Sequence, residues 1–175
     1  TQPGGYDLYG ELLATFIRDV RNDLDAPKMP FVIGVSGIGG PTSPEIEKQK
    51  SKRYRGLTMY LRQGMAAPAS MPEFKGNVAA VQTANYWDMQ LDELITRSWK
   101  KGGPMIKELQ KKAEEQKGSR LSHNERMAIR DKVYAELFTP EEKRILEVGK
   151  SNQGFHYHGS AKILGGIGKG FAEAM

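Results

Sequence analysis

Two of the three histidines of this chain fall in one short stretch, Ser151-Asn152-Gln153-Gly154-Phe155-His156-Tyr157-His158-Gly159-Ser160-Ala161-Lys162. Histidine is the side chain whose ordinary pKa lies nearest neutrality, so a loop histidine held by a rigid scaffold is suited to carrying protons. In an extended loop the i, i+2 spacing of His156 and His158 sends the rings to opposite sides, so at most one faces a given site. That argues against a metal pair, and no Asp or Glu between Lys150 and Lys169 could complete a ligand set. No metal and no cofactor are therefore expected. His156 is the candidate base, with a packed or hydrogen-bonded loop histidine as the plainer alternative. His123 stands in a helix-capping context and reads as a surface residue.

A second chemical candidate is Gly34-Val35-Ser36-Gly37-Ile38-Gly39-Gly40-Pro41. A phosphate-binding loop would follow its last glycine with Lys and then Ser or Thr, but Gly40 and Pro41 stand there, and proline removes a backbone donor. A nucleophile elbow, G-x-S-x-G, would need glycine where Ile38 stands. Ser36 remains an alternative nucleophile with His156 as its base. The competing reading is a glycine-rich turn that lets strand, loop and helix pack closely.

The elements that must position these residues alternate. Leu8, Leu12, Leu13, Phe16, Ile17, Val20 and Leu24 form one broad apolar stripe, which predicts a helix over about 6–24. The run 30–35 is apolar and bounded by Pro and Gly, as suits a parallel strand covered on both faces. Ser43, Pro44 and Glu45 start a second helix that should continue to about Met65 before Pro68 and Pro72. Residues 77–83 read as a second strand. From 91 to 148 the pattern is helical, with interruptions expected at Gly102-Gly103-Pro104 and at Gly118. Ser122 with Glu125, and Thr139 with Glu142, have capping-box spacing, and Gly149 should close the last of these helices. A final short helix over 161–174 is weakened by Gly165, Gly166, Gly168 and Gly170. Trp87, Trp99, Tyr54 and Tyr60 read as core-filling. Two apolar strands want neighbours, so further sheet is expected from strands not recognised or from elsewhere.

Composition sets the outer bounds. The 175 residues carry a formal charge of +5, are 38% hydrophobic and 27% charged, and include no cysteine. Disulfides, thiol nucleophiles and cysteine-based zinc sites are thereby excluded. The mean hydropathy of −0.57 suits a globular domain, and no apolar run approaches the roughly 18 residues that span a bilayer. Thr1-Gln2-Pro3-Gly4-Gly5 lacks the basic start and apolar stretch of a signal peptide. The basic residues of 99–120 are interleaved with Glu108, Glu114 and Glu115, the pattern of a solvated helix face. Neither nucleic acid nor membrane is expected as a partner.

Three blocks together carry a family resemblance. They are 3–35, with Pro3-Gly4-Gly5-Tyr6-Asp7 and Pro27-Lys28-Met29-Pro30-Phe31; 65–88, from Met65-Ala66-Ala67-Pro68 to Trp87-Asp88; and Phe155-His156-Tyr157-His158-Gly159-Ser160-Ala161-Lys162 with Ile167-Gly168-Lys169-Gly170-Phe171. The chain resembles the sialate O-acetylesterase-like carbohydrate esterases of the SGNH-hydrolase superfamily. The resemblance implies an α/β fold, a three-layer α/β/α (flavodoxin-like) domain around a parallel sheet. This chain, 1–175, would supply its C-terminal, helix-rich part. It also implies hydrolysis of acetyl esters on sugars by a serine nucleophile and a histidine base, with no cofactor. His156 matches the family histidine, and Asn152 and Gln153 would support its loop.

Two departures qualify the match. The family's Gly-x-Ser-Asn-like nucleophile block and its later glycine block are absent from these residues. Gln153 stands where the family often has the aspartate that orients the histidine, and a neutral amide stabilises an imidazolium less. The expectation is therefore a chain that holds the catalytic histidine, lacks the nucleophile block and is inactive alone. A companion segment or chain would bring the serine to an acetylated carbohydrate. The parent protein would be secreted or periplasmic by family inference. Two other readings stay open: a non-catalytic carbohydrate-binding or scaffold protein with this fold, and a self-contained serine hydrolase using Ser36.

Overall fold

The two predicted strands form and pair in parallel. The structure, a computed structural model, describes residues 6–49 and 57–175. Strand β1 (Phe31–Val35) lies beside β2 (Val78–Gln82) in the register Phe31↔Val78 through Val35↔Gln82. No further strand occurs among the described residues. The remaining elements are helical, so the chain is mainly helical with a small parallel sheet, a mixed α/β architecture. The chain divides into two compact units. The first comprises Thr1–Trp87, Gly154–Tyr157 and Lys162–Met175, and the second Asp88–Gln153 and His158–Ala161.

In the first unit, helix α1 (Tyr9–Asp23) follows a 3-10 turn at Tyr6–Leu8. Its buried face overlaps the predicted stripe only in part, at Ile17 and at Leu13, which packs against the core. Gly10, Ala14, Ile17 and Arg21 face inward, while Leu12 and Phe16 are 68% and 55% exposed. The cause is a close crossing: a Cβ on Gly10 would stand 2.9 Å from the Ala67 side chain and 3.3 Å from the Gly64 carbonyl. Small residues therefore take the crossing point, and Leu12 and Phe16 lie outside it. Arg21 anchors the end of α1, donating to the Met29 carbonyl (2.7 and 3.0 Å) and to Asn77 Oδ1 (2.8 Å).

Ser43 accepts a hydrogen bond from the Ile46 N–H at the start of α2 (Pro44–Gln49). The predicted helix to Met65 returns as α3 (Leu57–Ala66). Its middle, 50–56 with Tyr54, lies outside the described residues, as does the opening 1–5. Pro68 and Pro72 sit in 3-10 turns beyond α3, as proline's fixed φ favours. One face of β1 packs Ile33 and Val35 with Ala14, Ile17, Phe74 and Val78. On the other face, a Cβ on Gly34 would meet the Phe171 ring at 2.8 Å. Phe171 belongs to the last helix, α8 (Ala161–Glu173), whose Gly166 and Gly170 face the ring of Tyr86.

The second unit contains the helical segment expected at 91–148. Its helices are α4 (Met89–Arg97), α5 (Gly103–Lys117), α6 (His123–Leu137) and α7 (Pro140–Val148). Leu94, Phe138 and Leu146 form its core. Both capping boxes are present, at Ser122/Glu125 and Thr139/Glu142, and Gly118 ends α5 in the left-handed conformation. Two expectations fail here. Gly102-Gly103-Pro104 does not interrupt the helix, because α4 passes through a π-turn at Ser98–Gly102 into α5. Pro104 follows directly on that π-turn, whose altered hydrogen-bond register accommodates the N–H that proline lacks. Trp99, expected in the core, is 70% exposed on that turn. Gly149 caps α7 with φ −76°, not left-handed; its lack of a side chain is needed because Ile145 O would lie 2.5 Å from a Cβ.

Candidate active site

The carboxyl ends of β1 and β2 bring together the glycine-rich loop, Thr83 and one residue of the histidine block. Val35 ends β1, and Ser36 and Gly37 follow it; Thr83 follows Gln82 at the end of β2. Thr83 is buried and donates its hydroxyl proton to the Val35 carbonyl at 2.7 Å. Its oxygen lies 2.7 Å from the Tyr157 hydroxyl. Since the Thr83 proton is already committed, Tyr157 is the donor in that pair. Tyr157 Oη in turn accepts the Gly37 N–H at 2.8 Å. The result is a directed chain from Gly37 N–H through Tyr157 and Thr83 to the Val35 carbonyl. Trp87, buried as predicted, meets the Tyr157 ring edge-on at 5.9 Å.

Gly37 has no room for a side chain, because a Cβ would collide with the backbone of Thr83 and Ala84. Gly39 and Gly40 turn the loop with φ of 80° and 76°, and the Gly40 N–H bonds the Gly37 carbonyl at 2.9 Å. Arg62 of α3, buried, holds the loop from below. It donates to the Gly40 carbonyl at 2.9 Å and to the Ile38 carbonyl at 3.1 Å. Burial pushes its pKa below the ordinary value, and the nearby Tyr157 and Glu47 oppose that shift. Glu47, also buried, accepts from the Thr42 hydroxyl at 2.8 Å. The loop carbonyls thus serve Arg62, an arrangement for fixing a turn.

The histidine block is a turn and not the extended loop that the i, i+2 reading assumed. Gly154–Gly159 forms a 3-10 turn, with Tyr157, His158 and Gly159 at φ of 51°, 57° and 57°. Such left-handed residues are costly without support. Some of that support comes from within the second unit. The Ser151 and Asn152 N–H groups both bond the His158 carbonyl at 2.8 Å, and the His158 N–H bonds the Gln153 carbonyl at 3.0 Å. Asn152 Oδ1 accepts the Gln153 N–H at 2.8 Å, and the Ser151 hydroxyl bonds the Gly159 carbonyl at 3.0 Å. The contributions of Asn152 and Gln153 are therefore backbone contacts and one Asx-type side-chain contact.

The two histidines have opposite surroundings. His156 is exposed, its ring tilted against Phe155 with centroids 4.5 Å apart. His158 is buried, with Nε2 3.6 Å from Asp92 Oδ1. Ser36 is half-buried; its N–H points to Met65 Sδ at 3.5 Å. Among the described residues no hydrogen bond joins Ser36 to His156. Their chain neighbours Gly37 and Tyr157 are joined instead. His123 is exposed at the start of α6.

Sequence reasoning missed Tyr157, Thr83 and Arg62. A hydroxyl residue directly after an apolar strand, and a lone arginine among the apolar residues of α3, were the available signals. Comparison with protein-family models, with curated proteins and with solved structures finds no significant match to this chain.

Proposed function

We propose that this chain carries the histidine half of a carbohydrate acetylesterase of the SGNH type, with His156 as base. The observation that carries the reading is the 2.8 Å bond from the Gly37 N–H to Tyr157 Oη. It ties the residue next to His156 to the carboxyl end of β1, where open α/β sheets assemble their sites. An exposed imidazole beside an anchored residue is free to reach a serine, which a companion segment or chain supplies. Two apolar parallel strands with unpaired outer edges among the described residues suit a larger sheet completed in the same way.

In this mechanism His156 takes the serine hydroxyl proton as the serine oxygen attacks the acetyl carbonyl carbon. The tetrahedral intermediate collapses with cleavage of the bond to the sugar oxygen, and the imidazolium returns the proton to that leaving oxygen. Water then attacks the acetyl-serine with the same histidine as base. Acetate leaves and the serine is restored.

The test is acetate release from O-acetylated sugars by the protein isolated from its source. His156→Ala is expected to lower kcat by about 10²–10⁴ with KM little changed, and Ser36→Ala to leave the rate unaltered. Equal rates for wild type and His156→Ala would contradict the proposal and favour a carbohydrate-binding or scaffold role. Loss of activity in Ser36→Ala would transfer the chemistry to Ser36.

A further inference from the structure

A cleft of about 600 Å³ in the second unit lies between α6 and α7. Three of its lining cations, Lys143, Arg144 and Lys150, pair with no carboxylate among the described residues. We propose that this cleft binds a carboxylate-bearing sugar chain, an inference independent of the esterase reading.

Charge, hydroxyls and the state of the aromatic ring all point to that class. Uncompensated cations around a concavity attract an anion, and the low-dielectric walls focus their field. Within the cleft lining the hydroxyls of Ser98 and Tyr134 share one hydrogen bond of 2.6 Å. Two hydroxyls that share one bond leave one proton to donate to a ligand oxygen. The cleft also holds two carboxylates. Asp131 bonds Arg130 at 2.9 and 3.1 Å, and Glu147 has no ion pair among the described residues. Carboxylates accept from the hydroxyls of a sugar, and the four cations of the lining outnumber the two carboxylates, so an anionic sugar is still attracted. Finally, the Tyr134 ring already has two neighbours, the Arg130 guanidinium at 5.8 Å and the Phe138 ring at 5.3 Å, which limits the face it can offer to a nucleobase. A uronate chain supplies both the negative charge and the hydroxyl donors that this lining asks for.

The experiment is calorimetric titration of the full chain with tri-galacturonate, alongside neutral xylotriose and a short single-stranded DNA. Tri-galacturonate is expected to bind, more weakly as salt rises, and xylotriose not to bind. Replacing Lys143, Arg144 and Lys150 together by Gln should weaken binding about tenfold or more. The charge-matched change of Lys107, Lys111 and Lys112 to Gln, on α5, should leave it unchanged. Tyr134→Phe removes only the hydroxyl and should weaken binding by a smaller factor. No binding of tri-galacturonate, equal loss in the two triple variants, or tighter binding of the DNA would each overturn the proposal.

Discussion

The Tyr157 hydroxyl is both donor and acceptor in the chain that ends at Val35. Tyr157→Phe keeps the ring against Trp87 but orphans the buried Gly37 N–H, a loss of about 1–3 kcal/mol. Urea unfolding measures it, and a cycle with Thr83→Val should be non-additive because the two hydroxyls share one bond. Glu125 offers a pH test elsewhere. Hydrogen bonds from Lys117 first, then from the Ser122 backbone and hydroxyl, hold its pKa at about 2, against an ordinary 4.5. A folded-state pKa below the unfolded one means the stabilisation is complete above pH 4.5 and fades as pH falls toward 2. Carboxyl NMR titration should follow that window, and Lys117→Gln should move Glu125 back toward the ordinary range. A Glu125 that titrates normally in the wild type would show that the capping box is not held in solution.

Helix α8 separates two uses of glycine that its sequence alone does not distinguish. A Cβ on Gly165 or Gly168 meets nothing, so alanine there should stabilise by about 1 kcal/mol per site through helix propensity. A Cβ on Gly166 would stand 2.8 Å from Tyr86 Cδ1, and one on Gly170 would collide with the Tyr86 hydroxyl. Alanine at either position should therefore cost about 1–3 kcal/mol. Thermal unfolding of the four variants tests the contrast, and equal shifts at all four would contradict it. The same division between local and tertiary information explains what could be read in advance. The caps at Ser122, Thr139 and Gly118 and the two strands were legible because each depends on neighbouring residues. The exposure of Leu12 and Phe16 on α1 was not, because the close crossing is set by Gly10 meeting Gly64 and Ala67 from distant segments. The passage of the chain through Gly102-Gly103-Pro104 was hidden for a related reason, since a π-turn absorbs residues that usually end a helix. The turn at His156 is hidden because, of the three successive residues at positive φ, only Gly159 carries a sequence signal for that conformation.

For the whole molecule, the two units carry separate proposals: a histidine turn docked on strand ends in the first, a basic cleft in the second. On the solvated helix faces lysines pair with glutamates, as in Lys112 with Glu108 and Lys117 with Glu125. Among the described residues, no helix is long and apolar enough to cross a membrane. The esterase reading depends on a serine that these 175 residues do not hold in the family pattern, so the central claim concerns which serine reacts. The most direct measurement is to treat the protein isolated from its source with a fluorophosphonate probe and locate the labelled residue by peptide mass spectrometry. The account predicts a single labelled serine outside this sequence, with labelling slowed by His156→Ala and unaffected by Ser36→Ala. Labelling at Ser36, or a labelling rate indifferent to His156, would contradict it.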